Sequence, residues 1–270
     1  MASGETGVNK VHCLGVAAGW PCHARRHSAY LYRLGGSLVL VDCGVGVSGA
    51  YLGMGFGPDD VDEILLSHQH SDHVGGFSML IQGMWVGQRR KPLVVRAPAL
   101  AIPALKAWLE ATLLFDELMG FPIRWIALEA GKPFRIADLG VTPHPTTHLA
   151  ALGRAFGSRH PATSFETFGF VLECEGLRVG HSADLGAVSD LEPFLDRPLD
   201  LMVCELAHVE ADELFTRLGR AEIRDLVFIH LENRWWDHRE ALQRLAEAHL
   251  PGKQVRIAQD GDRIPIVGWR

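Results

Sequence analysis

The chain has 270 residues, 47% hydrophobic and 21% charged, with a formal net charge of -6 at neutral pH. Such a chain can bury a core of its own, and its acidic balance gives no overall electrostatic footprint for a nucleic-acid binder, although a local basic patch stays open. There is no low-complexity run, long charge block or bilayer-length apolar stretch, and Met1 to Gly7 lacks the charged-then-apolar pattern of a signal, so a cytoplasmic protein without membrane contact is expected.

In chain order, Val11 to Val16 and Ser28 to Leu34 read as strands. Gly35-Gly36 turns the chain, and Leu38 to Asp42 returns as the second arm of a hairpin. A helix is predicted near Val47 to Met54, a strand from Glu63 to Leu66, a helix from about Val74 to Val86 and a strand from Leu93 to Arg96. Ala99 to Met119 reads as one long helix, apolar on one side, started or interrupted at Pro103. Strands follow at Ile123 to Leu128, Phe134 to Val141, Thr167 to Cys174 and Leu177 to His181, the last two joined by Glu175-Gly176. Strands Leu201 to Cys204 and Leu226 to Ile229 then alternate with helices around Ala211 to Leu218 and Arg239 to His249. Val255 to Ala258 and Ile264 to Val267 close the chain. The halves share this pattern without a linker between them, so residues 1–270 read as one domain of two packed halves.

Five cysteines, Cys13, Cys22, Cys43, Cys174 and Cys204, form no Cys-x-x-Cys pair, and their odd number argues against a disulfide framework. Mostly buried, reduced thiols are expected.

The chemistry concentrates after the strand ending at Leu66, where Ser67-His68-Gln69-His70-Ser71-Asp72-His73-Val74-Gly75-Gly76 places three imidazoles and a carboxylate within six positions. Neutral imidazoles offer lone pairs to a borderline cation such as Zn²⁺, and Asp adds a hard anionic oxygen. The spacing does not fit one helical face; it fits a strand end turning into a helix. His68 and His70 then share one side of an extended segment, while the turn swings Asp72 and His73 toward a second position, so two metals are accommodated. A metal pair needs further donors, and single ones stand beyond later strand ends: His148, Asp184 and His230.

Together these residues resemble the metallo-β-lactamase superfamily, whose His-x-His-x-Asp-His motif is present as His68, His70, Asp72 and His73, with His148, Asp184 and His230 following in the family's order. Leu40-Val41-Asp42-Cys43-Gly44 and Asp260-Gly261 extend the resemblance over nearly the whole chain. It implies an α/β fold, a four-layer αββα sandwich of two mixed sheets with the site at one edge. It also implies two divalent metal ions, zinc first with manganese or iron as alternatives. His68, His70 and His148 would hold one ion, Asp72, His73 and His230 the other, with Asp184 bridging. A metal-bridging hydroxide would be the nucleophile, and Asp72 would orient it or accept its proton. Gly44-x-Gly46-x-x-Gly49 follows a strand and opens a helix as a dinucleotide fingerprint does, but a tight turn beside the metal loop explains it equally well.

Within the superfamily the pattern is most similar to the ribonuclease Z and phosphodiesterase branch, through Leu14-Gly15 with Pro21, Arg26 and Ser28, and through Ser164-Phe165-x-x-Phe168-Gly169-Phe170. Two departures weigh against tRNA as substrate. Only 35 residues, 149–183, separate His148 from Asp184, where the branch usually inserts its tRNA-gripping arm. The branch's His-Glu-Ala-Thr motif is altered to Glu205-Leu206-Ala207-His208, in which His208 is a candidate proton donor to the leaving group. Arg25, Arg26, Arg154 and Arg159 are candidates to meet a phosphate, and Trp20, Trp85, Trp235 and Trp236 to line the mouth or the core. The expected partner is a small-molecule or RNA-end phosphodiester, with a homodimer left open. A lactone, thioester or carboxylic ester hydrolase and a non-catalytic metal-binding protein are the alternatives.

Overall fold

A computed structural model describes residues 9–269; Met1 to Gly7 lie outside the described residues. The chain forms β1 (Lys10–Gly15), β2 (Ala29–Leu34), β3 (Ser37–Val41), α1 (Val47–Gly53), β4 (Glu63–Leu65), α2 (Ser71–Val74), α3 (Phe77–Val86), β5 (Leu93–Ala97), α4 (Ala101–Ala111), α5 (Asp116–Met119), β6 (Ile123–Ala127) and β7 (Phe134–Ile136). It continues through β8 (Leu139–Thr146), α6 (Ala150–Phe156), β9 (Thr167–Cys174), β10 (Leu177–His181), β11 (Leu199–Leu206), α7 (Ala211–Gly219), β12 (Ile223–Leu231), α8 (Asn233–Asp237), α9 (Arg239–His249), β13 (Gln254–Ile257) and β14 (Arg263–Pro265).

Two seven-stranded sheets result, ordered β14-β1-β2-β3-β4-β5-β6 and β13-β12-β11-β10-β9-β8-β7. Each begins as an antiparallel meander and continues in parallel strands, at β3 to β4 in one and β10 to β11 in the other. The exchange of β14 into the first sheet, against β1, ties the chain's last strand to its first.

The central strands are apolar on both faces because each face meets a different layer. In β3, Leu38 and Leu40 pack outward with Phe77, Ile81 and Leu105, whereas Val39 and Val41 turn inward toward Phe170 and Val203 of the other sheet. In β12, Val227 and Ile229 face inward while Leu226 and Phe228 pack against Leu214, Phe215 and Leu242 of α7 and α9. Period-two alternation therefore sorts each strand into an inter-sheet layer and a helix-facing layer, which is the αββα sandwich.

Three predicted elements divide. Ala99 to Met119 is two helices, because Leu113 takes a left-handed backbone (φ 62°) and ends α4. Pro103 is the third residue of α4, where its missing N–H would have had no intrahelical acceptor. Phe134 to Val141 is a hairpin turned at Ala137 (φ 48°), and its second arm, β8, runs on to Thr146 through Pro143 and Pro145, which break strands in sequence-based reading. The helix from Val74 to Val86 is α2 and α3 with Gly75-Gly76 between, and α6 and α8 had no counterpart among the predicted elements. No helix among the described residues is long and apolar enough to cross a membrane.

Candidate metal centre

The carboxyl ends of β3, β4, β8, β10, β11 and β12 deliver Asp42, Ser67-His68, His148, Asp184, Glu205 and His230 to one edge of the sandwich. Three of these strand ends use left-handed backbone at non-glycine residues, Asp42 (φ 62°), Ala183 (φ 49°) and His230 (φ 48°), a conformation that persists only where surrounding contacts hold it. Beside His230 the pairing of β11 with β12 slips at Glu205/Leu206, which redirects the imidazole out of the regular pleat.

Two groups of donor atoms converge there, His68, His70, His148 and Asp184 in one and Asp72, His73, Asp184 and His230 in the other, the atoms of each lying within 4.8 Å of one another. Asp184 belongs to both. Its Oδ2 lies 3.7 Å from His68 Nε2, 3.5 Å from His148 Nε2 and 3.5 Å from His230 Nε2, while its Oδ1 lies 3.2 Å from His73 Nε2. Asp72 Oδ2 closes the second group at 3.4 Å from His73 Nε2 and 3.7 Å from His230 Nε2. All seven residues expected from the sequence thus meet in one place.

Outside these groups, other residues hold the donors. The His73 Nδ1–H donates to Asp42 Oδ2 at 2.7 Å, and His230 Nδ1 pairs with the Ser28 hydroxyl at 2.9 Å. The turn carrying His148 is fixed by Asp190, which accepts from Thr147 N at 2.9 Å and from Gly186 N at 2.8 Å, and Thr146 Oγ1 donates to the Asp184 carbonyl. A Cβ on Gly186 would sit 2.3 Å from the Thr147 backbone, so this approach requires glycine. Asp190 carried no signal in the sequence, since a lone Asp far along the chain looks like any polar residue, and Ser28 and Ser67 stood inside the motifs without any sign of their contacts with His230 and Asp42. Asp42 is the exception, its place at the end of β3 matching the strand-end Asp that braces the metal loop in the family.

The electrostatics suit a cation. Burial pushes the imidazoles of His68, His70 and His230 down, His68 furthest, and takes His148 to about 4, so these rings present lone pairs rather than charge. Burial works against ionisation of Asp184 and Asp72, yet neighbouring imidazoles, His230 and His73 for Asp184 and His73 for Asp72, hold both carboxyls well below the usual range. At His73 burial is outweighed by Asp184 and Asp42, which raise the imidazole well above its ordinary value; a divalent cation would take over that carboxylate charge and accept the ring's lone pair. Buried His68 Nε2, His73 Nε2 and Asp184 Oδ1 have no hydrogen-bond partner, and His148 Nε2 faces His70 Nδ1 at only 3.2 Å. Four imidazoles kept neutral by burial and a fifth, His73, held by carboxylates, all converging on ionised Asp184 and Asp72 with partnerless atoms aimed inward, fit divalent metal ions.

His208 lies at the mouth, its ring 4.5 Å from that of His148 and 5.5 Å from that of His230. Burial would lower its pKa, but its pairing with Glu205, aided by Asp184, holds it up to about 9. Gly19 lies over Asp72, where an added Cβ would sit 3.5 Å from Oδ2, and its neighbour Trp20 is 72% exposed. Trp85 packs on the first-sheet core, Trp235 and Trp236 on the second, and Arg25 stacks over Trp236 at 4.2 Å. Arg26 is drawn to Asp260 at 3.4 Å, Arg159 stacks over Phe156 at 4.8 Å, and Arg154 is exposed on α6. None of these arginines ligates the cluster. The glycine-rich segment is a turn: a Cβ on Gly44 would lie 2.4 Å from the Asp72 carbonyl oxygen, and Gly46 takes φ 95° ahead of a seven-residue helix. All five cysteines are free, and only Cys22 is not buried.

A four-layer αββα sandwich with a His/Asp cluster at its edge that could hold metal defines a metal-dependent hydrolase of the metallo-β-lactamase fold. Residues 38–255 match the β-lactamase superfamily domain, and the chain belongs to that family. Its sequence relatives are of the ribonuclease Z branch: ribonuclease Z of Kineococcus radiotolerans is 26% identical over 299 aligned residues, covering 94% of each chain. Among solved structures, the metallo-β-lactamase fold protein YhfI from Bacillus subtilis superposes with a TM-score of 0.76 at 20% identity, over 95% of this chain and 99% of that one. Human tRNase Z, short form, superposes with a TM-score of 0.67 at 18% identity, over 96% of this chain and 99% of that one.

Proposed function

We propose that the chain is a dinuclear metal-dependent hydrolase of phosphodiesters, acting on a small molecule or an RNA end rather than on a whole tRNA. The carrying observation is Asp184, whose two oxygens face the imidazoles of both donor groups. In this reading His68, His70 and His148 would hold one divalent ion and Asp72, His73 and His230 the other, with Asp184 available to both. The donor set of imidazole nitrogen and carboxylate oxygen favours zinc, then manganese or iron. When bound, such ions would lower the pKa of a water to make it a nucleophile and would stabilise developing negative charge.

The chain's own side chains supply the rest. Asp72, ionised and beside the shared centre, orients the attacking water or takes its proton. His208, held protonated by Glu205, stands at the mouth to deliver a proton to the departing oxygen. The ribonuclease Z relatives and the tRNase Z neighbour support a phosphodiester substrate. Against a whole tRNA, residues between His148 and Asp184 form only the seven-residue α6, a loop and the β9–β10 hairpin. The free thiols favour a reducing, cytoplasmic setting.

The test is chelation followed by add-back of Zn²⁺ or Mn²⁺, with bis(p-nitrophenyl) phosphate, a lactone, a thioester and a precursor tRNA assayed in parallel. Metal-restored turnover of the phosphodiester alone is the expected result. Turnover confined to the carboxylic substrates, or none with any metal, would overturn the assignment, and efficient tRNA processing would overturn the exclusion of tRNA.

A further inference from the structure

Ser67 stands between the two donor groups without belonging to either. It is fully buried, and its hydroxyl lies 2.8 Å from Asp42 Oδ2 and 3.0 Å from His68 Nδ1. Asp42 also accepts the Ser67 amide at Oδ1, 2.7 Å away, and the His73 Nδ1–H at Oδ2, also 2.7 Å away. Hydrogen accounting fixes the direction of each bond. A carboxylate only accepts, so the single hydroxyl hydrogen of Ser67 points to Asp42. The serine oxygen can then only accept; His73 Nδ1 lies 3.4 Å from it but turns its hydrogen to Asp42 at 2.7 Å, so the donor left is a hydrogen on His68 Nδ1.

In their neutral, metal-binding forms both imidazoles thereby carry hydrogen on Nδ1 and leave their lone pairs on Nε2. These are the two imidazole nitrogens of the donor groups that are buried without a hydrogen-bond partner, and both face Asp184, at 3.7 Å and 3.2 Å. One carboxylate thus sets the tautomer of a donor in each group, directly at His73 and through one hydroxyl at His68.

We propose that Ser67 relays the Asp42 brace to His68 as a tautomer lock, so that Asp42 acts directly on His73 and through the Ser67 hydroxyl on His68. The proposal rests on the two-metal reading above. Ser67 and Asp42 are positioning residues, acting on the ions only through the imidazoles they orient. Losing an imidazole's outer partner weakens metal binding by about 10–100-fold.

Cadmium binding to the full chain tests it, with affinity measured by chelator competition and each position seen by ¹¹³Cd NMR. The unaltered protein should bind two ions and show two resonances. Ser67→Ala should weaken one position by about 10–100-fold, shifting or removing one resonance, and leave the other within about threefold. Asp42→Asn should weaken both, and Ser67→Thr, which restores the hydroxyl, should recover the lost position. Circular dichroism and the thermal midpoint of the chelated proteins check that each variant is folded. Two ions bound normally by Ser67→Ala, or both positions weakened equally, would overturn the lock while leaving the two-metal reading intact. No cadmium bound by the unaltered protein would overturn both.

Discussion

Glu205 Oε1 accepts a hydrogen bond from His208 Nδ1 at 3.1 Å, three residues further along the chain. Glu205 is itself fully buried and immobilised by the amides of Leu185 and His208, so it orients the imidazole as well as charging it. His208→Ala should therefore lower kcat by about 10²- to 10³-fold on substrates with poor leaving groups, with metal content unchanged. The loss should be much smaller with p-nitrophenolate, which departs without a proton. A proton donor must start protonated, so kcat should fall as pH rises through the His208 pKa, about 9 from the Glu205 pairing and lower once cations share the site. Steady-state pH profiles of the two proteins check this: an alkaline limb retained in His208→Ala would exclude His208 as its source.

Gly44 and Gly49, two glycines of one pattern, should respond oppositely to alanine. A methyl on Gly44 would meet the Asp72 carbonyl oxygen at 2.4 Å and the His27 backbone at 2.5 Å, displacing the turn that presents Asp72 and His73. Gly44→Ala should lose metal at the His73 position and most activity. A methyl on Gly49 meets nothing within 4 Å, and the residue lies inside α1, so Gly49→Ala should stabilise the fold by about 0.5–1 kcal/mol and leave activity alone. Thermal unfolding and metal analysis of the pair decide it, and a dinucleotide site would predict ligand loss from both.

Metal removal should cost stability as well as activity. The cluster gathers two ionised carboxylates and five imidazoles at buried strand ends held partly in left-handed backbone. Ions that bind only the folded state stabilise it by mass action, about 2.7 kcal/mol at a free concentration 100 times Kd. The thermal midpoint should rise steadily with added Zn²⁺, and Asp184→Asn, which weakens the shared oxygens, should flatten that rise. A midpoint indifferent to chelator would argue against ions held by these residues.

Much of this was legible in the sequence because local pattern and chemistry agreed there. The run at His68 to His73 combines a strand end with donor residues in one stretch, and the apolar strands of both sheets read plainly as such. What failed to read depended on contacts between distant segments. Pro143 and Pro145 look like breakers until β9 pairs alongside them, and Leu113 gives no hint of a left-handed turn. Asp190 and Ser28 act through Thr147 and His230, 43 and 202 positions away, which no spacing rule reaches. Glu205 was visible as part of an altered motif, but its grip on His208 appeared only once β11 ended where it does.

Arg89 offers a test of the fold independent of the metal centre. It lies at the opposite end of the first sheet, where its guanidinium donates to the carbonyls of Pro58, Val61, Lys91 and Pro92 at 2.7, 3.0, 2.9 and 2.9 Å. Val61 and Pro92 lead into β4 and β5, so one side chain, 2% exposed, fastens two strand entries together. Met keeps much of the volume and none of the donors. The Val61 contact is fully buried, so that carbonyl left without a partner costs about 1–3 kcal/mol, while the partly exposed carbonyls of Pro58, Lys91 and Pro92 can turn to water. Arg89→Met should therefore destabilise by about 1–3 kcal/mol. Arg89→Lys should recover only part of this, because one ammonium cannot span four acceptors set out for a planar fork. Urea unfolding gives the measurement: the midpoint should fall for both variants, further for Met, with the slope and the metal content of the folded protein unchanged. A midpoint shift under about 1 kcal/mol for Arg89→Met would mean that water replaces the guanidinium at these carbonyls and that the strand entries hold without it.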